Sequence, residues 1–233
     1  FVVAFHRWKG PLAEESIRGF SGPEKDLAVL AAVARRIEAE PFHGSWLSSR
    51  RDTLFPGSRA ASANIAALDR LLAWYEVRSN PLFAPIAYML LWPFHFGALI
   101  ERWRAQTGVH VNEWLESIGA IEAAASLSMY AYENPNSVFP EIVESIHPMF
   151  EAEGLKHPLM NETGCVSNDL RLGAQPSFYV VSGSNMSGKS TLLRSVGVAA
   201  AMAFAGGTVA ASRLRVSPLR IGASIATHDS IQA

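Results

Sequence analysis

A chain of 233 residues with 49% hydrophobic and 18% charged side chains can bury one large core or two modest ones, which excludes an intrinsically disordered polypeptide. The net charge is −1: residues 1–150 carry 13 basic and 16 acidic side chains, and residues 151–233 carry 7 and 5. Neither part has the basic stripe of proteins that grip duplex DNA by its phosphates, so the charge pattern gives no support for direct DNA binding by this chain. Cys165 is the single cysteine, which excludes an internal disulfide and fits a reducing compartment.

Helical periodicity dominates residues 1–150. A capping box that begins at Ser21 predicts a helix ending before Pro41, and further apolar faces predict helices over 59–77 and 111–132. Residues 41–57 hold two prolines and two glycines and are predicted to form a connection. No pair of histidines stands at metal-ligand spacing with a cysteine or carboxylate partner. This part is therefore predicted to be a helical domain without chemistry of its own.

Two apolar stretches in the first 150 residues raise the question of a membrane. Residues 1–5 are too few to span a bilayer, and composition allows either the tail of a membrane helix or an ordinary core segment. Residues 80–100 contain no charge, but three prolines interrupt them, and a charged helical stretch follows at 101–104. We interpret residues 80–100 as a buried, kinked helix, with a membrane span as the alternative.

The stretch from residue 178 to residue 190 indicates a specific chemistry. The short run Phe178–Val181 predicts a buried strand, and the pattern Gly183-x-x-x-x-Gly188-Lys189-Ser190 follows it. Apolar residues at helical spacing come next. Strand, glycine loop and helix in this order are the context of a phosphate-binding loop, the Walker A motif; a simple glycine turn is the alternative.

The chemistry of such a loop explains its residue types. Its glycines let consecutive backbone N–H groups surround a phosphate, and the following helix adds its positive end. Lys189 can reach the outermost phosphates, and the Ser190 hydroxyl can bind the Mg²⁺ that accompanies them. The predicted cofactors are ATP and Mg²⁺, with Ser190 as the metal ligand. The predicted nucleotide-binding residues of the loop are Gly183, Ser184, Asn185, Met186, Ser187, Gly188, Lys189, Ser190 and Thr191.

The loop and its surroundings resemble the MutS family of DNA mismatch repair ATPases. Asn185 and Met186 fill the positions at which that family characteristically has Asn-Met. The segments 153–159 and 166–172 before the loop, and 206–210 and 219–224 after it, also resemble MutS segments. The clear resemblance covers residues 151–233, and a weaker one at 122–131 is similar to the helix that leads into the ATPase domain.

This resemblance implies an α/β fold with a large all-α N-terminal part. Residues 1–150 would form a helical core or lever-like domain, and residues 151–233 the first half of an ABC-type P-loop NTPase domain that includes Walker A and lacks Walker B. The implied function is the ATP-binding portion of a MutS-like mismatch repair ATPase that couples ATP binding to movement of the helical core on DNA. The alternative is a nucleotide-gated scaffold, or a membrane-associated MutS-like ATPase, without mismatch recognition.

The resemblance also carries expectations about partners, location and catalysis. The complete protein is expected to be a homodimer in the cytoplasm, where it would contact DNA, and hydrophobic segments upstream of Phe1 would allow attachment to the cytoplasmic face of a membrane. Val166 occupies the region that holds the adenine ring in MutS proteins, although an aromatic residue usually stands there. No apolar strand ending in Asp-Glu follows Lys189. The chain is therefore expected to bind ATP without hydrolysing it, and no catalytic residue is assigned.

Overall fold

The computed structural model describes residues 24–57, 59–160, 165–184 and 187–224, and the chain divides into two compact units, 1–123 and 124–233. Within the described ranges the helices are α1 (Glu24–Ala39), α2 (Ser45–Asp52), α3 (Ala61–Glu76), α4 (Ala84–Met89), α5 (Trp92–Glu133) and α6 (Lys189–Phe204), with a 3₁₀ turn at Val77–Ser79. The strands are β1 (Glu141–Ile142), β2 (Phe150–Leu155), β3 (Asn168–Leu172) and β4 (Arg213–Val216). A helical part followed by a small mixed sheet confirms the general fold class.

The first unit is built from amphipathic helices, as the periodicity predicts. Ala31, Ala34 and Ile37 are buried on one face of α1, which packs against α3. The α3 residues that the sequence places on one face are all buried, namely Ile65, Leu68, Leu72 and Tyr75. The two predicted helices are therefore confirmed, while the Ser21 cap lies outside the described residues.

Residues 41–57, which were predicted to form a connection, also contain a helix. Residues 45–52 form the two-turn helix α2, in which no residue is fully buried. Its side chain Leu47 packs partly against the core formed by α1, α3 and α5. A short helix with a single packed apolar residue has little periodicity, so the sequence pattern could not reveal it.

Residues 80–133 differ more strongly from the predicted arrangement. Instead of a kinked helix and a separate one over 111–132, the chain forms the short α4 and then the continuous 42-residue α5. Leu91, at φ 52°, lies in the break between them, and Pro85 and Pro93 stand in first turns, where proline fits a helix. Burial was also predicted wrongly, because Leu82 and Met89 are 88% and 76% exposed.

No helix in the described part of the chain combines the length and the apolar character that a membrane crossing requires.

The second unit is organised on a four-stranded sheet with the order β1-β4-β2-β3. Strand β4 pairs in parallel with β1 and antiparallel with β2, which pairs antiparallel with β3. Strands β2 and β3 lie before the glycine loop, in the segment that resembles MutS proteins, and β4 lies after α6. Small side chains let α6 share the core of this sheet, which consists of Phe150, Ala152, Leu155, Ala199, Ala200, Ala203, Val209, Ala211, Leu214 and Val216.

The predicted buried strand at Phe178–Val181 is wrong for this structure. These residues form no strand pairing with any other described residue, and their side chains are between 39% and 82% exposed. The one side-chain hydrogen bond here runs from the Tyr179 hydroxyl to the Arg171 carbonyl oxygen, at 2.9 Å. An apolar run becomes a buried strand only where a neighbouring strand is available, and the described residues supply none to this segment.

Charged side chains form a ladder across the sheet. Arg215 of β4 donates to Glu141 of β1 and to Glu151 of β2, both at 3.1 Å, and Arg171 of β3 lies 3.3 Å from Glu151. The Arg215 side chain is only 33% exposed, and both of its ion pairs run between strands.

A glycine in β2 lies at a position where a side chain cannot be accommodated. Gly154 has φ 61°, interrupts the register between Ala152 and Leu155, and donates its N–H to the Asp169 carboxylate at 2.7 Å. A Cβ atom there would lie 2.5 Å from the Ser212 Oγ. Gly154→Ala is therefore expected to lower the free energy of unfolding by about 2 kcal/mol, measured by urea denaturation.

Gly173→Ala is the matched control for Gly154→Ala. A Cβ at Gly173 meets no heavy atom within 4 Å, and no positive φ restricts this glycine, so its replacement should change stability by less than about 0.5 kcal/mol. Adding Ser212→Ala to Gly154→Ala should recover part of the loss. Equal effects of the two glycine substitutions would contradict the steric explanation.

Candidate nucleotide site

The loop before α6 adopts a conformation that depends on its glycines. Gly188, the residue before α6, has φ 87°, and Gly183 has φ 152°, both outside the range that residues with a Cβ adopt readily. A Cβ at Gly183 would also lie 3.2 Å from the Ser187 Oγ. The backbone of the loop thus closes tightly onto the first turn of α6, where N–H groups of the helix terminus have no partner inside the helix.

Lys189 folds back into this loop. Its ammonium group donates to the carbonyl oxygens of Gly183, at 2.7 Å, and of Ser184, and lies 3.4 Å from the Ser187 Oγ. The cation is therefore already placed inside the ring of loop atoms before any anion is present. An incoming phosphate would exchange these neutral carbonyl partners for a charged one, which forms stronger hydrogen bonds with an ammonium group.

A cavity of about 500 Å³ opens beside the loop. It brings Ser187, Gly188, Lys189 and Thr191 together with Val166, which is distant in sequence and 80% exposed. The remaining lining residues are Leu155, His157, Met160, Cys165, Asn168, Val181, Ser182, Leu192 and Ser195. The volume lies within the range of cavities that hold a ligand of nucleotide size.

Not every predicted site residue lines this cavity. Gly183 and Ser184 form the loop behind Lys189 and are not part of the lining. Ser190 is exposed in the first turn of α6 and is also outside the lining. Asn185 and Met186 lie outside the described residues.

His157 and Met160 line the cavity, and neither is assigned a role by the sequence pattern. The His157 Nδ1 accepts the backbone N–H of Leu159 at 3.3 Å, which fixes the orientation of the ring. These residues follow β2 directly, so the end of that strand carries them to the cavity. The motif Lys-His-Pro identifies the segment in the sequence, but nothing in its spacing indicates a contact with the loop 30 residues later.

The residues present fit a nucleotide with its Mg²⁺. A phosphate would meet backbone N–H groups at the start of α6 and the Lys189 ammonium, and the remaining cavity extends to apolar side chains such as Val166 and Leu155. Ser190 would supply one hydroxyl to Mg²⁺, an ion that commonly takes its other ligands from phosphates and water. Among the described residues no group of three or more His, Cys, Asp and Glu side chains could hold a metal ion without such help.

The chain is similar in sequence to known proteins over more than 100 residues. No family model matches the chain. It is 30% identical over 131 residues to the Probable DNA mismatch repair protein Msh6 of Drosophila melanogaster, and 34% identical over 122 residues to the DNA mismatch repair protein MutS 1 of Halobacterium salinarum. The DNA mismatch repair protein MutS of Thermotoga maritima is 35% identical over 104 residues. These matches cover 53%, 52% and 42% of the chain.

The similarity to curated MutS and Msh6 proteins, at 30–35% identity over about half of the chain, supports a MutS-family fragment. The matched residues correspond to only 11%, 14% and 12% of the lengths of these three MutS relatives. The chain therefore spans a small part of the curated proteins that it matches.

Proposed function

We propose that this chain is the ATP-binding portion of a MutS-like DNA mismatch repair ATPase. The observation that carries the proposal is the cavity that joins the glycine loop and Lys189 to Val166. The loop pattern indicates the phosphate end of a nucleotide, and the resemblance to MutS proteins implies that Val166 lies at the adenine end. Lys189 and the start of α6 would hold the phosphates, and Ser190 would bind Mg²⁺. The base would lie toward Val166, where an apolar surface without an aromatic ring gives weaker stacking.

The second unit is proposed to be the first half of an ABC-type P-loop domain. Its sheet and the helix α6 that follows the loop share one core, so the loop is attached to the rigid part of the unit. Movement of the loop on nucleotide binding would therefore be resisted on the side of α6. The opposite side, Phe178–Val181, has no strand partner among the described residues.

Nucleotide binding is proposed to be coupled to the helical part through α5. The boundary between the two compact units falls inside this helix, after residue 123, so one continuous hydrogen-bonded element belongs to both. A helix resists bending and twisting over its length, so it can carry a displacement from one end to the other. In the complete protein we propose a homodimer that uses this displacement on DNA, the molecule that the names of the relatives refer to.

The single cysteine provides a direct test of the proposed site. Cys165 lines the cavity together with Lys189 and is partly accessible, so a maleimide can react only at this position. We expect Mg·ATP to slow alkylation of Cys165 by about tenfold, because a bound nucleotide excludes the reagent from the cavity. The measurement is the rate of mass increase of the intact chain with and without nucleotide.

The same experiment on Lys189→Ala separates occupancy of the cavity from a general effect of ATP. Protection should disappear at nucleotide concentrations that protect the parent chain. Equal alkylation rates with and without saturating Mg·ATP in the parent chain would refute the placement of the nucleotide beside Cys165. To test the wider function, the complete protein should be compared on mismatched, branched and perfectly paired duplexes, with preference for mismatched DNA as the expected result.

A further inference from the structure

A second cavity lies beside the candidate nucleotide site. Its volume is about 230 Å³, and polar residues from the end of α5, from β2 and the segment after it, and from the approach to β4 surround it. His157 and Met160 line both cavities, so the two are neighbours. Neither Val166 nor any of the described loop residues lines this second cavity, so nucleotide binding does not explain its chemistry.

The hydroxyl group of Tyr130 is the first sign of a ligand in this cavity. Tyr130 is one of the lining residues, and its oxygen is buried without a hydrogen-bond partner among the residues that the structure describes. Burial raises the pKa of this phenol, so it remains a neutral donor at physiological pH. A buried hydroxyl without an acceptor lowers the stability of the folded state, and a ligand that accepts its hydrogen bond would remove this penalty.

The charge of the lining indicates which acceptor fits. Lys156 is half-buried and forms no ion pair with any residue between 24 and 224 that the structure describes. The His157 Nδ1 accepts a backbone N–H, so the proton of the neutral ring is on Nε2, which is a further donor. No Asp or Glu is among the described residues that line the cavity. Donors and a positive charge without a carboxylate favour an anion.

Other polar side chains that line the cavity already form hydrogen bonds within the protein. The Asn134 amide donates to the Tyr130 carbonyl oxygen at 2.9 Å, and the Ser137 hydroxyl lies 2.6 Å from the Asn134 carbonyl oxygen and 2.8 Å from the Thr208 hydroxyl. These bonds tie the end of α5 to the segment before β4. The cavity therefore keeps its shape while the Tyr130 hydroxyl and Lys156 lack partners.

We propose that this cavity is a binding site for a small phosphate-type oxyanion, held by Tyr130, Lys156 and His157 and separate from the nucleotide loop. Its volume corresponds to roughly seven water molecules, which accommodates a tetrahedral oxyanion with part of its hydration shell. The anion accepts from the phenol, the ammonium group and the imidazole, and so gives the buried Tyr130 hydroxyl the partner that it lacks among the described residues.

The test uses inorganic phosphate and the full 233-residue chain with Lys189→Ala, because the loop of the parent chain is itself proposed to bind phosphate. Calorimetric titration at constant ionic strength, balanced with sodium chloride, should show saturable binding that survives Lys189→Ala. Adding Tyr130→Phe should weaken it about tenfold, and adding Lys156→Gln at least tenfold, since each removes a bond to a charged ligand. Absence of saturable binding in the Lys189→Ala chain, or unchanged affinity in both added variants, would overturn the proposal.

Tyr179→Phe is the matched control, because the Tyr179 hydroxyl already has an acceptor in the Arg171 carbonyl oxygen and the residue lies outside the cavity. It should leave phosphate affinity unchanged. A second readout concerns folding: without phosphate, Tyr130→Phe should melt no lower than its parent, because the removed hydroxyl had no partner. With phosphate, only chains that retain Tyr130 should gain melting temperature. A lower melting temperature of Tyr130→Phe in the absence of phosphate would contradict the unpartnered hydroxyl.

Discussion

Replacing Lys189 by alanine is expected to weaken the binding of Mg·ATP by at least tenfold, which corresponds to about 1.4 kcal/mol. The ammonium group is the only side-chain cation that lines the cavity beside the loop within the described residues. Removing it takes away the charge that would meet the outer phosphates. It also removes the hydrogen bonds to Gly183, Ser184 and Ser187 that connect the first turn of α6 to the loop.

Titration of a fluorescent ATP analogue measures this change, and Arg194→Ala is the control. Arg194 is an exposed cation in the same helix and is not part of the cavity lining, so its loss alters net charge equally without touching the site. Undiminished binding by Lys189→Ala would end the phosphate-loop hypothesis. A similar loss in both variants would show that the effect comes from general electrostatics, which salt would then screen.

The 233-residue chain is expected to bind Mg·ATP and yet release phosphate at close to the uncatalysed rate. Hydrolysis requires an oriented water molecule and neutralisation of the charge that develops in the transition state, and the loop supplies only part of the second requirement. Asp229 is the only acidic residue after Lys189, and it lies outside the described residues. Each missing catalytic element typically costs about a hundredfold or more in rate.

Phosphate release from the purified chain should be measured beside that from Lys189→Ala. Both are expected to remain near background, because contacts to phosphates that are already bound stabilise the ground state and the transition state alike. Steady turnover by the parent chain that Lys189→Ala abolishes would reveal a catalytic base within these residues. Turnover that persists in both chains would instead point to a contaminating enzyme.

Periodicity predicted the helices of the first unit well because burial and spacing agree there. The faces of α1 and α3 are buried residue by residue as the 3.6-residue repeat requires. The pattern was less informative from Asn80 to Ile100, where no charged side chain marks the side that faces solvent. In such a stretch the break at Leu91 cannot be read from composition, and neither can the continuity of α5 beyond it.

The sequence predicted the loop of the candidate site, but it did not predict the other residues that line the cavity. The glycine spacing and Lys189 identify the phosphate end because the loop geometry is local and requires those residue types. His157 and Met160 reach the cavity through the sheet, from about 30 residues away, and a single sequence contains no signal for that contact. The resemblance to MutS proteins singled out Val166, whose place in the cavity could not be derived from its own residue type.

The exposed run Phe178–Val181 also affects how the polypeptide behaves at high concentration. Four consecutive aromatic and β-branched residues without a charge, exposed and without a strand partner among the described residues, have the composition of segments that assemble edge to edge into intermolecular sheets. A net charge of only −1 provides little repulsion against such contacts. Purified material is therefore expected to lose solubility as it is concentrated, and a partner that covers this segment would act on the protein as a chaperone does.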